Sequence, residues 1–139
     1  MTFSDFFERI GNLDWLAVVV GALVFMVLGA IWYGPLFGKA WSKATGQPAM
    51  SLTKVPPANQ LVGGLIVAFV ASAAVNYFGA LDDVEHSLVL ALLLGVIVIG
   101  SFAFSHVVWE KRKFGLFLLE VAFTFVAIAV LSYVQGLMA

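Results

Sequence analysis

Cysteine is absent from the 139 residues. That excludes disulfides, thiolate metal sites and reactive thiols, although it does not decide the redox compartment. Charge is scarce as well: Asp, Glu, Lys and Arg make up 11% of the chain, against about 25% in a typical soluble domain. The net charge is −1, so no basic footprint for nucleic acid exists. A basic leader is also missing. Asp5 and Glu8 face a single Arg9 near the N-terminus, the wrong charge for a secretory signal, so the first apolar run is expected to be retained. What is abundant is hydrocarbon: 63% of residues are hydrophobic. A water-soluble fold of this size has too much surface for its volume to hide that fraction. The solvent for most of the chain is therefore lipid.

Four runs have the length to cross a hydrocarbon core of about 30 Å, which needs about 20 apolar residues in a helix. They are Leu13–Tyr33, Leu61–Leu81, Leu88–Trp109 and Phe114–Met138. The fold class that follows is all-α: a single polytopic membrane domain, four transmembrane helices in an antiparallel bundle. Two short interfacial helices are added. In the first, Thr2 to Ile10, Phe3, Phe6, Phe7 and Ile10 share one face, Asp5, Glu8 and Arg9 lie on another, and Thr2 with Asp5 has capping spacing. The second follows the first span, where Pro35 lacks an amide hydrogen and biases Gly34 away from helix, so the span is expected to stop there. Thr45 to Asn59, with Gly46, Pro48, Pro56 and Pro57, reads as a loop. Asp82-Asp83-Val84-Glu85-His86 reads as an acidic turn whose acids cap the third span; with His86 it is also a weak outer ligand set. Lys and Arg decide orientation. Six of the seven fall in the loops at Lys39, Lys43 and Lys54 and at Lys111, Arg112 and Lys113. Those loops are expected to be cytoplasmic, with both termini and the acidic turn outside.

The run Leu28-Gly-Ala-Ile-Trp-Tyr-Gly-Pro-Leu-Phe-Gly-Lys-Ala-Trp41 resembles the signature of an uncharacterised bacterial four-span membrane family, domain of unknown function 1761. The resemblance implies a first helix running into a Trp-Tyr-x-Pro-Leu-Phe-Gly-Lys-x-Trp corner, a short basic turn before the last helix and a bacterial inner-membrane location. It is motif-specific at Gly29–Trp41 and looser at Trp109–Glu120. The family is expected to carry an amide near the position of Glu120, so the carboxyl here is a departure. No activity comes with the resemblance.

Three constellations stand out. Glu120 lies six residues into the fourth span, roughly 9 Å along a helix, and an intramembrane carboxylate marks a functional site by default. His106 and Glu110 share a face of the third span at i and i+4. The three residues are expected to form a polar cluster inside the bundle that passes protons or binds a cation; the structural alternative is that Glu120 pairs with Lys111, Arg112 or Lys113. One carboxylate–histidine–carboxylate set is a weak zinc signature, so neither metal nor cofactor is expected. The corner residues Trp32, Tyr33, Pro35, Phe37, Lys39 and Trp41 read as an aromatic anchor, or as a lipid-headgroup notch with Lys39 on a phosphate. Small or polar residues that let helices approach closely recur at Gly64, Ala68, Ser72 and Asn76, and again at Ala122, Ala129 and Gly136. The second stripe lies about 200° from Glu120 at 100° per residue; if Glu120 faces inward the stripe is an outward oligomer face, and the alternative is that the fourth span is gripped on both sides within one bundle.

These features point to a membrane component without enzymatic activity, self-associating or attached to a larger membrane complex, with the lipid bilayer as its other partner. A small proton- or cation-coupled transporter using His106, Glu110 and Glu120 is the alternative.

Overall fold

The computed structural model describes residues 1–51, 53–79 and 84–139. The described residues hold helices and no strand. Four of the helices are long and apolar enough to cross a membrane: Trp15–Leu36, Ala58–Tyr77, Glu85–Glu110 and Phe114–Met138. In order, α1 is Phe3–Gly11, α2 Trp15–Ile31, α3 Gly38–Thr45, α4 Ala58–Tyr77, α5 Val84–Leu90, α6 Gly100–Glu110 and α7 Phe114–Met138. The acidic residues Asp82 and Asp83, and the expected end of the second span at Leu81, lie outside the described residues.

The first span does not stop at Tyr33. It continues through a π turn, Trp32–Leu36, with Pro35 inside it. The amide of Phe37 reaches the carbonyl of Trp32, five residues back, at 2.8 Å. Proline in an ordinary α turn would strike the carbonyl four residues earlier; the wider turn accommodates it. The third span is α5 and α6 joined by a second π segment, Ala91–Ile99, and its buried small residues Ala91, Gly95 and Gly100 are spaced four and then five apart. At Gly95 the backbones touch: a Cβ there would lie 3.2 Å from the Cα and the amide nitrogen of Phe125.

α7 is the axis of the bundle and contacts α2, α3, α4, α5, α6 and the π segment of the third span. α2 packs most extensively on α4, and the third span on α7. Small residues line these contacts: Ala17, Ala22, Ala68, Ala91 and Ala127 are buried, with Val75, Ile128 and Leu131 filling the centre. Large side chains such as Leu16, Leu23, Val27, Phe102 and Leu118 point outward. A soluble protein arranges these the other way round. In lipid there is no hydrophobic drive between helices, so close approach of small residues does the holding.

α1 begins with a capping box. Thr2 N–H donates to Asp5 Oδ2 at 2.8 Å, and Asp5 N–H donates to Thr2 Oγ1 at 3.1 Å. Phe6 then packs on Tyr77 at the end of α4, with ring centroids 5.5 Å apart, and the Arg9 guanidinium sits 5.1 Å above the same ring. The Thr2 backbone donor, with the Thr2 hydroxyl second, holds the Asp5 carboxyl below the ordinary carboxylate range. A depressed carboxyl contributes its stability above the unfolded pKa and loses it as pH falls through the folded one. Acid titration followed by NMR at the Thr2 amide is expected to show the cap intact at neutral pH, with a midpoint below that of an unstructured aspartate.

Candidate functional site

Three features merit consideration, and two of them lie at the end of the bundle where the basic loops meet. Lys113 Nζ donates to the Lys43 carbonyl at 3.4 Å, so both basic loops share that end. Here His106 Nδ1 lies 3.1 Å from Glu110 Oε1. Arg112 bridges the two carboxylates, with Nε 4.0 Å from Glu110 Oε2 and Nη1 3.4 Å from Glu120 Oε1. The fold thus brings His106, Glu110 and Glu120 into one chain, linked by Arg112, one of the three turn cations that the structural alternative paired with Glu120. The chain sits at the rim rather than inside the bundle: its side chains are 35% to 57% exposed. Exposed pairs of this kind contribute about 0–1 kcal/mol. Among the described residues no group of three His, Cys, Asp or Glu could hold a metal ion.

The second feature is the aromatic corner. Phe123 of α7 gathers Phe25, Trp32 and Tyr33 around it, at centroid distances of 5.4, 5.9 and 5.3 Å. Trp32 in turn meets Phe37 at 4.6 Å, and Tyr33 meets Trp41 at 6.0 Å. Two glycines let a strap, residues 46–51 and 53–57, fold back over this corner. Met50 N–H donates to the Tyr33 carbonyl at 3.2 Å. A Cβ on Gly34 would lie 2.9 Å from the Met50 carbonyl oxygen, and one on Gly38 would lie 2.8 Å from that of Tyr33. Between strap and corner is a cavity of about 540 Å³, lined among others by Tyr33, Trp41, Gln47, Lys54 and Gln60. Lys39 is exposed and does not line it. The cation in that wall is Lys54.

The third feature lies toward the opposite end and is buried. Gln135, 1% exposed, donates from Nε2 to the Ser72 carbonyl at 3.1 Å and to Ser72 Oγ at 2.8 Å. Ser72 Oγ donates to the Val18 carbonyl at 2.7 Å. Asn76 Nδ2 donates to Gln135 Oε1 at 3.2 Å, and Asn76 Oδ1 accepts from the Asp14 amide at 3.0 Å. The Gln135 amide therefore ties the fourth span to the second, and the Ser72 hydroxyl ties the second to the first. Gly21 makes room for it, because a Cβ there would strike Ser72 Oγ and lie 2.7 Å from Gln135 Nε2. Sequence reasoning weighs Asn76 and Ser72 but not Gln135; its signal is an uncharged amide within a membrane span, three residues from the end of α7.

The two small-residue stripes separate. Ala68 and Ser72 are buried, and Gly64 lies against Met26 of the first span, so this stripe is a packed face. The stripe on α7 follows the packing alternative rather than the outward one. Ala122 is exposed, but Gly136 is buried and Ala129 packs against the central cluster. A helix surrounded by neighbours has no single outer side.

This is a multi-pass helical membrane protein. A family described as "Protein of unknown function (DUF1761)" matches residues 16–136, and the chain belongs to that family. No curated protein and no solved structure matches it.

Interhelical hydrogen bonds in membranes are worth about 0.6 kcal/mol on average and up to about 1.7. Gln135→Met strands Ser72 and Asn76, so reversible unfolding in mixed micelles is expected to register a loss near the upper figure. Gly21→Val adds overpacking, typically about 1–3 kcal/mol, and the two losses are expected to be non-additive because they share one contact.

Proposed function

We propose that the protein is a non-enzymatic component of a membrane assembly, associating first with a second copy of itself or with a larger membrane complex. In this reading it lies in the inner membrane with the basic loops cytoplasmic and both termini outside, as the positive-inside rule orients them. The observation that carries it is an unfilled cleft. The third span leans on α7 and hardly touches α4. Between them an apolar groove of about 340 Å³ opens, walled by Ala71, Ala74, Leu94 and Val98 and floored by Ala127 and Ile128 of α7. A groove of this kind between two spans accepts a further helix by van der Waals packing, the main force available in hydrocarbon.

The chain lacks cysteine, so a single introduced thiol is diagnostic. Val98→Cys is expected to give a crosslinked dimer, or a larger adduct, in native membranes, while Leu16→Cys on an outward face does not. Monomer alone from both variants, together with a monomeric mass in mild detergent, would remove the reading.

The transport alternative rests on the His106–Glu110–Arg112–Glu120 chain. Arg112 compensates its carboxylates, and the amide clip at the far end is satisfied within itself, so the two polar sites support anchoring better than a path. In liposomes, wild type and Glu120→Gln are expected to leak protons no faster than empty vesicles. Flux that is present in wild type and lost in Glu120→Gln would reverse the assignment.

A further inference from the structure

The strap cavity does not end at the corner. A second cavity of about 270 Å³ shares Tyr33, Met50, Pro56 and Gln60 with it. This second space runs between the first and second spans, past Met26, Gly29, Leu61, Gly63, Gly64 and Val67. The two have opposite chemistry. The strap cavity carries Lys54, Gln47, Gln60 and the edges of Tyr33 and Trp41. The slot beneath is walled almost entirely by hydrocarbon and aromatic rings. The slot reaches Val67, nine residues into α4, or about 13 Å at 1.5 Å per residue. Half of a hydrocarbon core of about 30 Å is about 15 Å. The slot is therefore about as deep as one leaflet, and its polar mouth stands where headgroups stand.

We propose that the strap, the corner and the slot form a binding site for one anionic phospholipid. Its phosphate meets Lys54, the one charged side chain in the cavity wall. Its headgroup hydroxyls lie against Gln60 and Tyr33, and one acyl chain fills the slot against Met26, Val67 and Phe123. The signature run at the corner then has a second role besides turning the chain: Tyr33 and Trp41 wall the mouth, and Gly34 and Gly38 let the strap close over it. The site does not depend on self-association, which uses the groove between the second and third spans.

The test uses the full chain, reconstituted in vesicles of equal phosphatidylglycerol and phosphatidylcholine, extracted in mild detergent and examined by native mass spectrometry for retained lipid. Wild type is expected to hold one phosphatidylglycerol. Lys54→Gln removes one basic contact at an anionic surface and is expected to lower retention about fivefold, whereas Lys39→Gln, outside the wall, leaves it unchanged. Gly63→Leu fills the slot from a position where a Cβ meets nothing within 4 Å. It is expected to abolish retention while its melting temperature stays that of wild type, which separates loss of the site from loss of the fold. Millimolar glycerol phosphate, a headgroup without tails, is expected not to displace the lipid. Equal effects of Lys39→Gln and Lys54→Gln would reduce the site to general surface attraction. Displacement by glycerol phosphate, with Gly63→Leu indifferent, would make it a soluble-anion site. Either result overturns the proposal.

Discussion

Apolar side chains gain nothing by leaving lipid for a neighbouring helix, and that constraint shapes this bundle. Cohesion has to come from how near two backbones can approach and from polar groups that find no other partner. Gly21, Ser72 and Gln135 supply both at one place. The missing Cβ of Gly21 opens the space, and the Gln135 amide fills it with bonds to Ser72 of the second span, whose hydroxyl bonds the first. Gly95 does the same against the Phe125 backbone without any polar group. α7 takes part in both contacts, so the remaining spans are arranged around it and only secondarily around each other.

The basic end follows a different rule. There the chain leaves hydrocarbon, and its charges and rings sort by depth. His106, Glu110, Arg112 and Glu120 compensate one another at the rim. The rings of Trp32, Tyr33 and Phe123 lie just beneath. Pro35 does not end the first span because a π turn shifts its ring away from the carbonyl it would strike. The corner that results is rigid on one side, where aromatic rings interlock. On the other it is covered by a strap anchored to the Tyr33 carbonyl through Met50. Rigid floor and draped cover together make a cavity there, where a plain helical hairpin would have none.

Sequence reading carried the architecture well, because solvent identity and span length are properties of composition. Four spans, the capped amphipathic α1, the helix after the corner and the packed stripe through Ala68 and Ser72 are all present. Two inferences about direction were less secure. An outward face for the stripe through Ala129 and Gly136, one of its two readings, rests on its angle from Glu120. That angle has meaning only if Glu120 points inward and the helix has an outer side, and α7 satisfies neither condition. Lys39 is visible as a cation in the signature run, but the cavity at the corner is lined by Lys54, which the strap brings from fifteen residues further along. Contacts created by a returning loop have no local periodicity to reveal them.

Gln135 shows why the visible polar residue and the structural one can differ. Glu120 drew attention because a charge in a span is costly, and cost is often read as function. Yet six residues from the end of a helix, a carboxylate can reach a cation at the rim, and this one does so through Arg112. Gln135 is only three residues from the other end of α7, but it is 1% exposed, so its two donors and its acceptor must find partners inside the protein. The neutral residue is therefore the one that constrains the fold, since the second and fourth spans must approach within hydrogen-bonding distance before its groups are satisfied. Where polar residues are few and the medium cannot solvate them, the architecture is specified by the residue whose groups have no exit.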